Sequence, residues 1–127
     1  MKKIFQIKDM PPAVGYSRAI RAGNFLFICA QVPENAKGET VGEGDFETQA
    51  RQVFDNLKKV VTEAGGNLSN IVDLTAFLTD MKNLDIFRKV RREHFKEYWP
   101  VCTIVEVSRL LSEKWMIAVK AVAYFDE

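Results

Sequence analysis

Histidine and cysteine, the residues that most often build metal centres and nucleophile sites, are scarce in this chain. Its 127 residues include one histidine, His94, and two cysteines, Cys29 and Cys102. These form no close metal-ligand pair, and a zinc site would need all three together with a carboxylate, so we expect neither a metal nor a cofactor. Gly-x-Ser-x-Gly is absent too, which leaves a Ser-His-Asp triad through His94 without a supporting motif.

An excess of charge and a long apolar run are also lacking. The formal net charge is +1, so we expect no general affinity for nucleic acid or for an anionic membrane surface. No apolar run approaches the roughly 18 residues of a transmembrane helix, and the basic start over residues 1–8 turns polar too soon for a signal peptide. The length and the 47% hydrophobic content therefore predict one compact domain over residues 1–127, in the cytoplasm.

The spacing of apolar residues predicts the element order β-β-β-α-β-α-β-β. Strands are expected at residues 4–7, 17–21, 25–29, 71–79, 103–108 and 115–125, and helices at 46–64 and 84–98. Asp45 can cap the first helix and Gly65 stops it. Trp99 and Pro100 are expected to end the second helix.

The last strand indicates how the layers are arranged. From Trp115 to Phe125 its residues alternate, and one set faces the helices. Two amphipathic helices and one mixed sheet of about six strands make an α/β two-layer sandwich with both helices on one face. The other face keeps Met116, Val122 and Tyr124. Because so apolar a face usually meets a partner, we expect the chain to oligomerise.

Several stretches together resemble the reactive intermediate deaminase, or Rid/YjgF, family. Residues 98–107, Tyr-Trp-Pro-Val-Cys-Thr-Ile-Val-Glu-Val, are similar to a signature in which Pro-Ala-Arg-Ser/Thr precedes a hydrophobic strand. Residues 11–20, 23–33, 49–57 and 72–81 are similar to other parts of the family, so the resemblance covers nearly the whole chain. It implies a chorismate-mutase-like fold, a homotrimer with clefts between subunits, and hydrolysis of imines or enamines, such as 2-aminoacrylate, to a keto acid and ammonia.

The family's binding residues carry over to this chain only in part. Tyr16 matches the family's tyrosine, and Thr103 matches the Ser/Thr of the signature. Cys29 stands at a serine position, Ala30 at a glycine whose backbone contacts the ligand, and Arg88 where many members have asparagine. The resemblance implies that these residues bind the substrate, a small carboxylate or imino acid.

The positions at which the family has its carboxylate-binding and water-activating residues depart from the family pattern. Cys102 replaces the arginine that holds the substrate carboxylate through a bidentate contact. Lys120 stands where many members have the glutamate that activates water, and Ala118 occupies a neighbouring position that is often glutamate. Lys120, Glu106 and Cys102 are the candidate catalytic residues of this chain. The ending from Lys120 to Tyr124 is similar to that of 2-aminomuconate deaminases of the family.

Most of these residues also have a plain structural interpretation. Cys102 is either a reactive thiol or a small residue that fills the space of the missing arginine. Lys120 is either a partly buried base or carboxylate anchor, or an interface lysine paired with a carboxylate such as Glu106. Arg88 either takes over the carboxylate contact or lies on a solvated helix face, with weak RNA binding as a third alternative. A disulfide between Cys29 and Cys102 of neighbouring subunits is not expected in a reducing cytoplasm.

Three functions therefore stand as alternatives. The first is hydrolysis of a reactive imine or enamine with altered specificity, and a 2-aminomuconate-like compound is one candidate substrate. The second is a non-catalytic trimer whose clefts bind a small metabolite or which regulates a partner. The third is the endoribonuclease or translation-inhibitor activity associated with some relatives, against which the near-neutral charge and the single histidine count.

Overall fold

Six strands and two helices make up the fold, and the computed structural model describes residues 2–126. The strands are β1 (Lys2–Phe5), β2 (Ala19–Ala22), β3 (Phe25–Gln31), β4 (Ile71–Leu78), β5 (Val101–Glu106) and β6 (Ile117–Tyr124). The helices are α1 (Phe46–Glu63) and α2 (Leu84–His94), and short 3₁₀ turns lie at Leu68–Asn70 and Met81–Asn83. The predicted order of strands and helices is confirmed.

All six strands belong to one sheet, in the order β1-β2-β3-β6-β4-β5. Neighbouring strands are antiparallel except β4 and β5, which run parallel. A parallel pair needs a crossover connection, and α2 lies in the one between β4 and β5. Helix α1 packs on α2, β6 and β3, and the buried side chains of the helices and of one sheet face form one cluster. The α/β two-layer sandwich predicted from the sequence is confirmed.

Helix α1 forms where the sequence predicts it because both of its ends are defined. The amide of Thr48 donates a hydrogen bond to Asp45 Oδ1 at 3.2 Å, which caps the first turn. Hydrogen bonds from the hydroxyl and the amide of Thr48 lower the pKa of the Asp45 carboxyl. Gly65 follows the helix in the left-handed region at φ +93°, which glycine adopts without strain.

A fully buried amide of α1 fixes the start of β6. Gln49 Nε2 donates to the carbonyls of Gly42 and Lys114 at 3.1 and 2.8 Å. Its Oε1 accepts a hydrogen bond from the amide of Met116 at 2.8 Å. Met116 is partly buried and packs against the core, and it lies outside the strand in which the sequence placed it. The strand begins at Ile117, two residues later than predicted.

Helix α2 ends at His94 rather than at Tyr98, so its predicted end is wrong. Phe95 leaves the helix with φ −124° and ψ 100°, and its ring packs edge-on against Phe54 with centroids 6.1 Å apart. The hydroxyl of Tyr98 donates to the carbonyl of Ile71 at 2.6 Å. These tertiary contacts hold the segment after His94 extended, and they outweigh its local helical pattern.

The sheet face that points away from the helices, called the open face below, is uncovered in the single chain. Its exposed apolar side chains are Ile4, Phe25, Phe27, Val101, Val105 and Tyr124. Val101 is 68% exposed and Phe27 is 50% exposed. The predicted apolar second face is therefore present. Within residues 2–126, no helix has the length and apolar character needed to cross a membrane.

Candidate functional site

One row of the open face carries candidate residues from two strands. Lys120 of β6 is in register with Thr75 of β4, and Thr75 is in register with Thr103 of β5. Neighbouring strands lie about 4.8 Å apart, which places the backbones of Lys120 and Thr103 roughly 10 Å apart. Lys120 points to the open face because both of its neighbours in β6, Val119 and Ala121, are buried against the helices.

A β-bulge adds two more candidate residues to this row. The register between β3 and β6 shifts by one residue between Ile28 and Gln31, so Cys29 and Ala30 both lie opposite Lys120. Bulges interrupt the ladder of backbone hydrogen bonds and often occur beside binding sites. This geometry suits Ala30, whose backbone is predicted to contact the ligand, and the sequence did not predict the bulge.

The environment of Cys29 favours the protonated form of its thiol. Burial raises the pKa of the Cys29 thiol, and the nearby Arg18 guanidinium and a hydrogen bond from Gln31 only partly oppose this rise. Gln31 Nε2 lies 3.6 Å from the Cys29 sulfur. Because the thiolate is the reactive form of cysteine, Cys29 is better suited to line a pocket than to attack a substrate.

Tyr16 lies on the loop that precedes β2, close to the bulge. Its side chain is 54% exposed, and the Arg18 guanidinium lies 5.9 Å from the centre of its ring. Arg18 Nη2 donates to the carbonyl of Pro11 at 2.7 Å, and the amide of Cys29 donates to the carbonyl of Arg18 at 2.9 Å. Arg18 therefore joins the Tyr16 loop to the strand that carries Cys29.

Cys102 and Glu106 lie on the opposite side of the sheet. Cys102 is in register with the fully buried Leu74, and it packs against the core. Glu106 is in register with Leu78, which is also buried. Glu106 Oε1 accepts a hydrogen bond from the amide of Met81 at 2.8 Å, so this carboxylate already holds the turn that follows β4.

The pairing of Lys120 with Glu106, one of the alternatives from the sequence, is wrong for the single chain. The two side chains leave the sheet on opposite faces, and Glu106 is bound to the amide of Met81. Lys120 is exposed rather than partly buried. No carboxylate among residues 2–126 lies within 4.0 Å of its amine.

The predicted site residues thus divide into two groups. The open-face group consists of Cys29, Ala30, Thr103 and Lys120, and Arg18 connects the loop that carries Tyr16 to the bulged strand. The helix-side group consists of Arg88, Cys102 and Glu106. The sheet lies between the two groups, so a side chain of one group cannot reach a small ligand held by the other group of the same chain.

Helix α2 contributes a cleft that the sequence analysis did not predict. The arginine cleft, of about 340 Å³, is lined by Arg88, Arg91, Arg92, Phe95, Trp99 and Pro100. Pro100, the residue before β5, and Cys102 lie on the same side of the chain, because Val101 between them is 68% exposed on the open face. Two strand residues span about 7 Å, so the cleft adjoins the position of Cys102. The spacing i, i+3, i+4 of the three arginines is the sequence signal that could have found it.

The contacts of the single histidine, His94, indicate a structural role. His94 Nδ1 lies 2.8 Å from the carbonyl oxygen of Val90, and the ring stacks on Phe54 with centroids 5.1 Å apart. Its Nε2 lies 3.8 Å from a carboxylate oxygen of Asp55. In the part of the chain that the structure describes, no three histidine, cysteine, aspartate or glutamate side chains are grouped as metal ligands would be.

Comparison with known proteins assigns the chain to a family. Residues 6–125 match the family described as Endoribonuclease L-PSP. The chain belongs to this family. A RutC family protein of Pyrococcus horikoshii is 38% identical over 125 residues, which are 98% of each of the two chains. The mitochondrial protein Mmf1 of Saccharomyces cerevisiae is 37% identical over 100 residues, 79% of this chain and 68% of Mmf1, so the cytoplasmic location stays a prediction.

Solved structures of this family share the fold. YyfA of Yersinia pestis, a member of the Rid family, is 31% identical with a TM-score of 0.92, over 98% of this chain and 99% of YyfA. E. coli TdcF with bound serine is 28% identical with a TM-score of 0.88, over 96% of this chain and 98% of TdcF. The resemblance to the Rid/YjgF family is confirmed, and membership supports a deaminase-like or related function on small molecules.

Proposed function

We propose that this chain hydrolyses a reactive imine or enamine that carries a carboxylate, at clefts between copies of itself. The division of the site residues between two sides of the sheet is the observation that carries the proposal. Lys120 and Cys102, which the resemblance places in one site, leave the sheet on opposite faces. A site with both groups therefore needs the open face of one copy and the helix side of its neighbour.

The open face supports this assembly. Three of its apolar side chains, Phe25, Phe27 and Val101, are between 44% and 68% exposed. Large exposed apolar surfaces of small proteins usually mark interfaces. If unlike surfaces meet at each contact, rotation about one axis closes a ring, and the homotrimer implied by the family resemblance is such a ring.

The chemistry proposed for this cleft is addition of water to a carbon–nitrogen double bond. The water oxygen adds to the imine carbon, the nitrogen gains a proton, and the resulting carbinolamine releases ammonia and leaves a keto acid. The Lys120 ammonium group is a cation with three hydrogen-bond donors, so it can hold a carboxylate or donate to the departing nitrogen. Tyr16 and the backbone at Ala30 would enclose the ligand. The serine bound to TdcF is a small amino acid with a carboxylate, which supports a ligand of this size.

Arg88 is the proposed replacement for the family's carboxylate anchor. Cys102 is half-buried and packs against the core, so it fills space rather than binding an anion. The Arg88 side chain is 49% exposed, and its contact with Asp85 is long at 3.5 Å. A guanidinium group with so weak a partner can turn to a carboxylate, for which its planar fork is well suited.

The test is release of ammonia and keto acid from enzymatically generated imino acids and from 2-aminomuconate. We expect turnover by the native chain, a decrease of about tenfold or more in kcat/KM for Lys120→Ala, and a raised KM for Arg88→Ala. Lys58→Ala, at an exposed position of α1, is the matched control and should behave as the native chain. Absence of ammonia above background with every substrate would contradict the proposal.

A non-catalytic, metabolite-binding trimer is the second candidate. The engaged carboxylate of Glu106 and the raised pKa of the Cys29 thiol favour it, because they leave no ready general base among the candidate residues. Small keto acids that raise the thermal stability of the chain without being turned over would support this function. Turnover that appears only in the Cys102→Arg variant would also favour the non-catalytic function, since the native pocket would then lack only the family's carboxylate-binding arginine.

Endoribonuclease activity, which the description of the family names, is the third candidate. The arginine cleft is the surface that favours it, since arginines and an exposed tryptophan can hold phosphates and bases. The single histidine lies against Phe54 and the carbonyl of Val90 and is not among the residues that line this cleft. Cleavage of a labelled single-stranded RNA that is lost in Arg92→Gln would support this function.

A further inference from the structure

The two flanks of helix α2 differ in how their charges are balanced. On one flank, Arg51 of α1 binds Glu47 at 2.6 Å and Glu93 at 2.9 Å, and Lys89 binds Glu47 at 3.2 Å. Two cations and two carboxylates therefore neutralise each other there. Glu47 and Glu93 are thus engaged on this flank and do not balance charge on the other.

The other flank, which forms the arginine cleft, has an excess of positive charge. Arg88 has one distant partner, Asp85, whose side chain is 96% exposed. Arg91 lies with its guanidinium 5.5 Å from the centre of the Phe87 ring. No carboxylate among residues 2–126 lies within 4.0 Å of Arg91 or Arg92. Three cations and one carboxylate leave a net charge of about +2 in the cleft.

The helix end explains only part of this arrangement. Arg91 and Arg92 lie in the last turn of α2, where the negative end of the helix dipole favours cations. Arg88 lies one turn earlier and gains less from that effect. Three like charges at i, i+3 and i+4 repel one another, and a bound anion would relieve this repulsion.

We infer that the arginine cleft binds a small ligand with two negative charges and a flat carbon frame, a dicarboxylate or a phosphate monoester. Guanidinium groups bind both kinds of oxyanion through paired hydrogen bonds. Trp99 lies in the cleft wall with its side chain 76% exposed, so its indole can pack against the flat carbon frame of the ligand. A cleft of about 340 Å³ is large enough for a six-carbon diacid.

This inference rests on the proposed function where it concerns the substrate class. The arginine cleft adjoins Cys102 through Pro100, so a second carboxylate of the substrate would lie in the cleft while the first lies nearer the reacting carbon. The substrate would then be an unsaturated imino acid with two carboxylates. Binding to the cleft is measured without turnover, so the inference and the proposed function can fail separately.

The experiment is calorimetric titration of the native chain with two matched probes at physiological ionic strength. trans,trans-Muconate and sorbate are both planar six-carbon dienes, and muconate has one carboxylate more. We expect muconate to bind at least tenfold more tightly, and Arg91→Gln and Arg92→Gln each to weaken it about tenfold, since charged hydrogen bonds make large contributions. Lys89→Gln, on the paired flank, is the matched control and should change the Kd less than about twofold.

Further probes separate the sources of the anion. Uridine 5′-monophosphate and uridine differ only by a phosphate. If uridine 5′-monophosphate binds more tightly than muconate does, the ligand is a phosphate monoester. Trp99→Ala should weaken muconate and sorbate by the same factor, because the indole contacts the carbon frame. Circular dichroism of each variant verifies that the exposed substitutions leave the fold intact.

Several results would overturn the inference. Equal affinity for muconate and sorbate, or no binding of any dianion, would do so. So would muconate binding that Arg91→Gln and Arg92→Gln leave unchanged, or a loss of muconate affinity in Lys89→Gln as large as in the arginine variants. Single-stranded RNA that binds the cleft when neither small dianion does would overturn it in favour of a nucleic-acid surface. Dianion binding by a chain that releases no ammonia would contradict the proposed function alone, and ammonia release without dianion binding would contradict this inference alone.

Discussion

The two faces of the sheet carry apolar side chains from the same strands, but only one face is covered. In β6, Ile117, Val119 and Ala123 are fully buried beneath the helices, whereas Tyr124 of the open face is 38% exposed. In β3 the fully buried Leu26 alternates with Phe27, which is 50% exposed. The helix-covered face closes the core of one chain, and the open face has apolar surface that nothing within residues 2–126 covers.

The alternating apolar pattern of these strands therefore has two roles, one in folding and one in contacts between chains. Burial on the covered face stabilises the fold of a single chain. Burial on the open face would stabilise contacts between chains, and that face also carries Lys120 and the bulge at Cys29 and Ala30. Substitutions on the two faces should therefore have different effects.

The largest effect on folding is expected on the covered face. Phe54 is fully buried against Phe87 and Phe95, and Phe54→Ala should lower the free energy of unfolding by about 3–5 kcal/mol because it leaves a cavity. Phe27→Ala is the matched control on the open face. Urea unfolding at one fixed protein concentration measures both, and an equal loss in the two variants would remove the distinction between the faces.

The next effect concerns assembly rather than folding. Phe27→Asp places a charge at the centre of the apolar open face, where burial of an unpaired carboxylate is costly. We expect the sedimentation mass to fall to that of one chain, 14.5 kDa, while the circular dichroism spectrum is retained. A native chain that already sediments as one copy, or a variant of unchanged mass, would contradict the proposed interface.

A smaller effect is expected in the reactivity of Cys29. Burial raises the pKa of its thiol above the ordinary value, and Arg18 and Gln31 oppose this only in part. Alkylation by iodoacetamide should therefore be slow at neutral pH and should accelerate only as the pH rises above that value, because the thiolate is the reactive form. Peptide mass spectrometry at a series of pH values follows the modification of Cys29. Rapid modification at neutral pH would mean that the site lowers this pKa.

Much of the fold could be predicted from the sequence because its patterns are local. The alternation in β6, the Asp45 cap and the glycine that ends α1 each fix an element within a few residues. The end of α2 could not be predicted in this way. It depends on Phe95 packing on Phe54 and on the hydrogen bond from Tyr98 to a distant strand, and such contacts leave no periodic signal.

The candidate site was less predictable, because its geometry depends on register. The sequence analysis could name Lys120 and Cys102, but the face of each follows from which strands pair. A shift of one residue would reverse both faces. The arginine cleft depends on the path of the chain from His94 to Pro100, which brings Trp99 to the three arginines.

The most direct test of a site shared between copies is cross-linking across the proposed cleft. The test variant combines Cys29→Ser with Lys120→Cys, so its two thiols are at position 120 on the open face and at Cys102 on the helix side. Within one chain their backbones are about two strand spacings of 4.8 Å apart, and the sheet lies between the two side chains. With a short bifunctional maleimide we expect covalently joined chains up to the trimer, and a mass spectrum that links position 120 to Cys102. The Cys29→Ser chain without the second substitution should give no such products. Chains that stay single, although both thiols react, would contradict a site formed between copies.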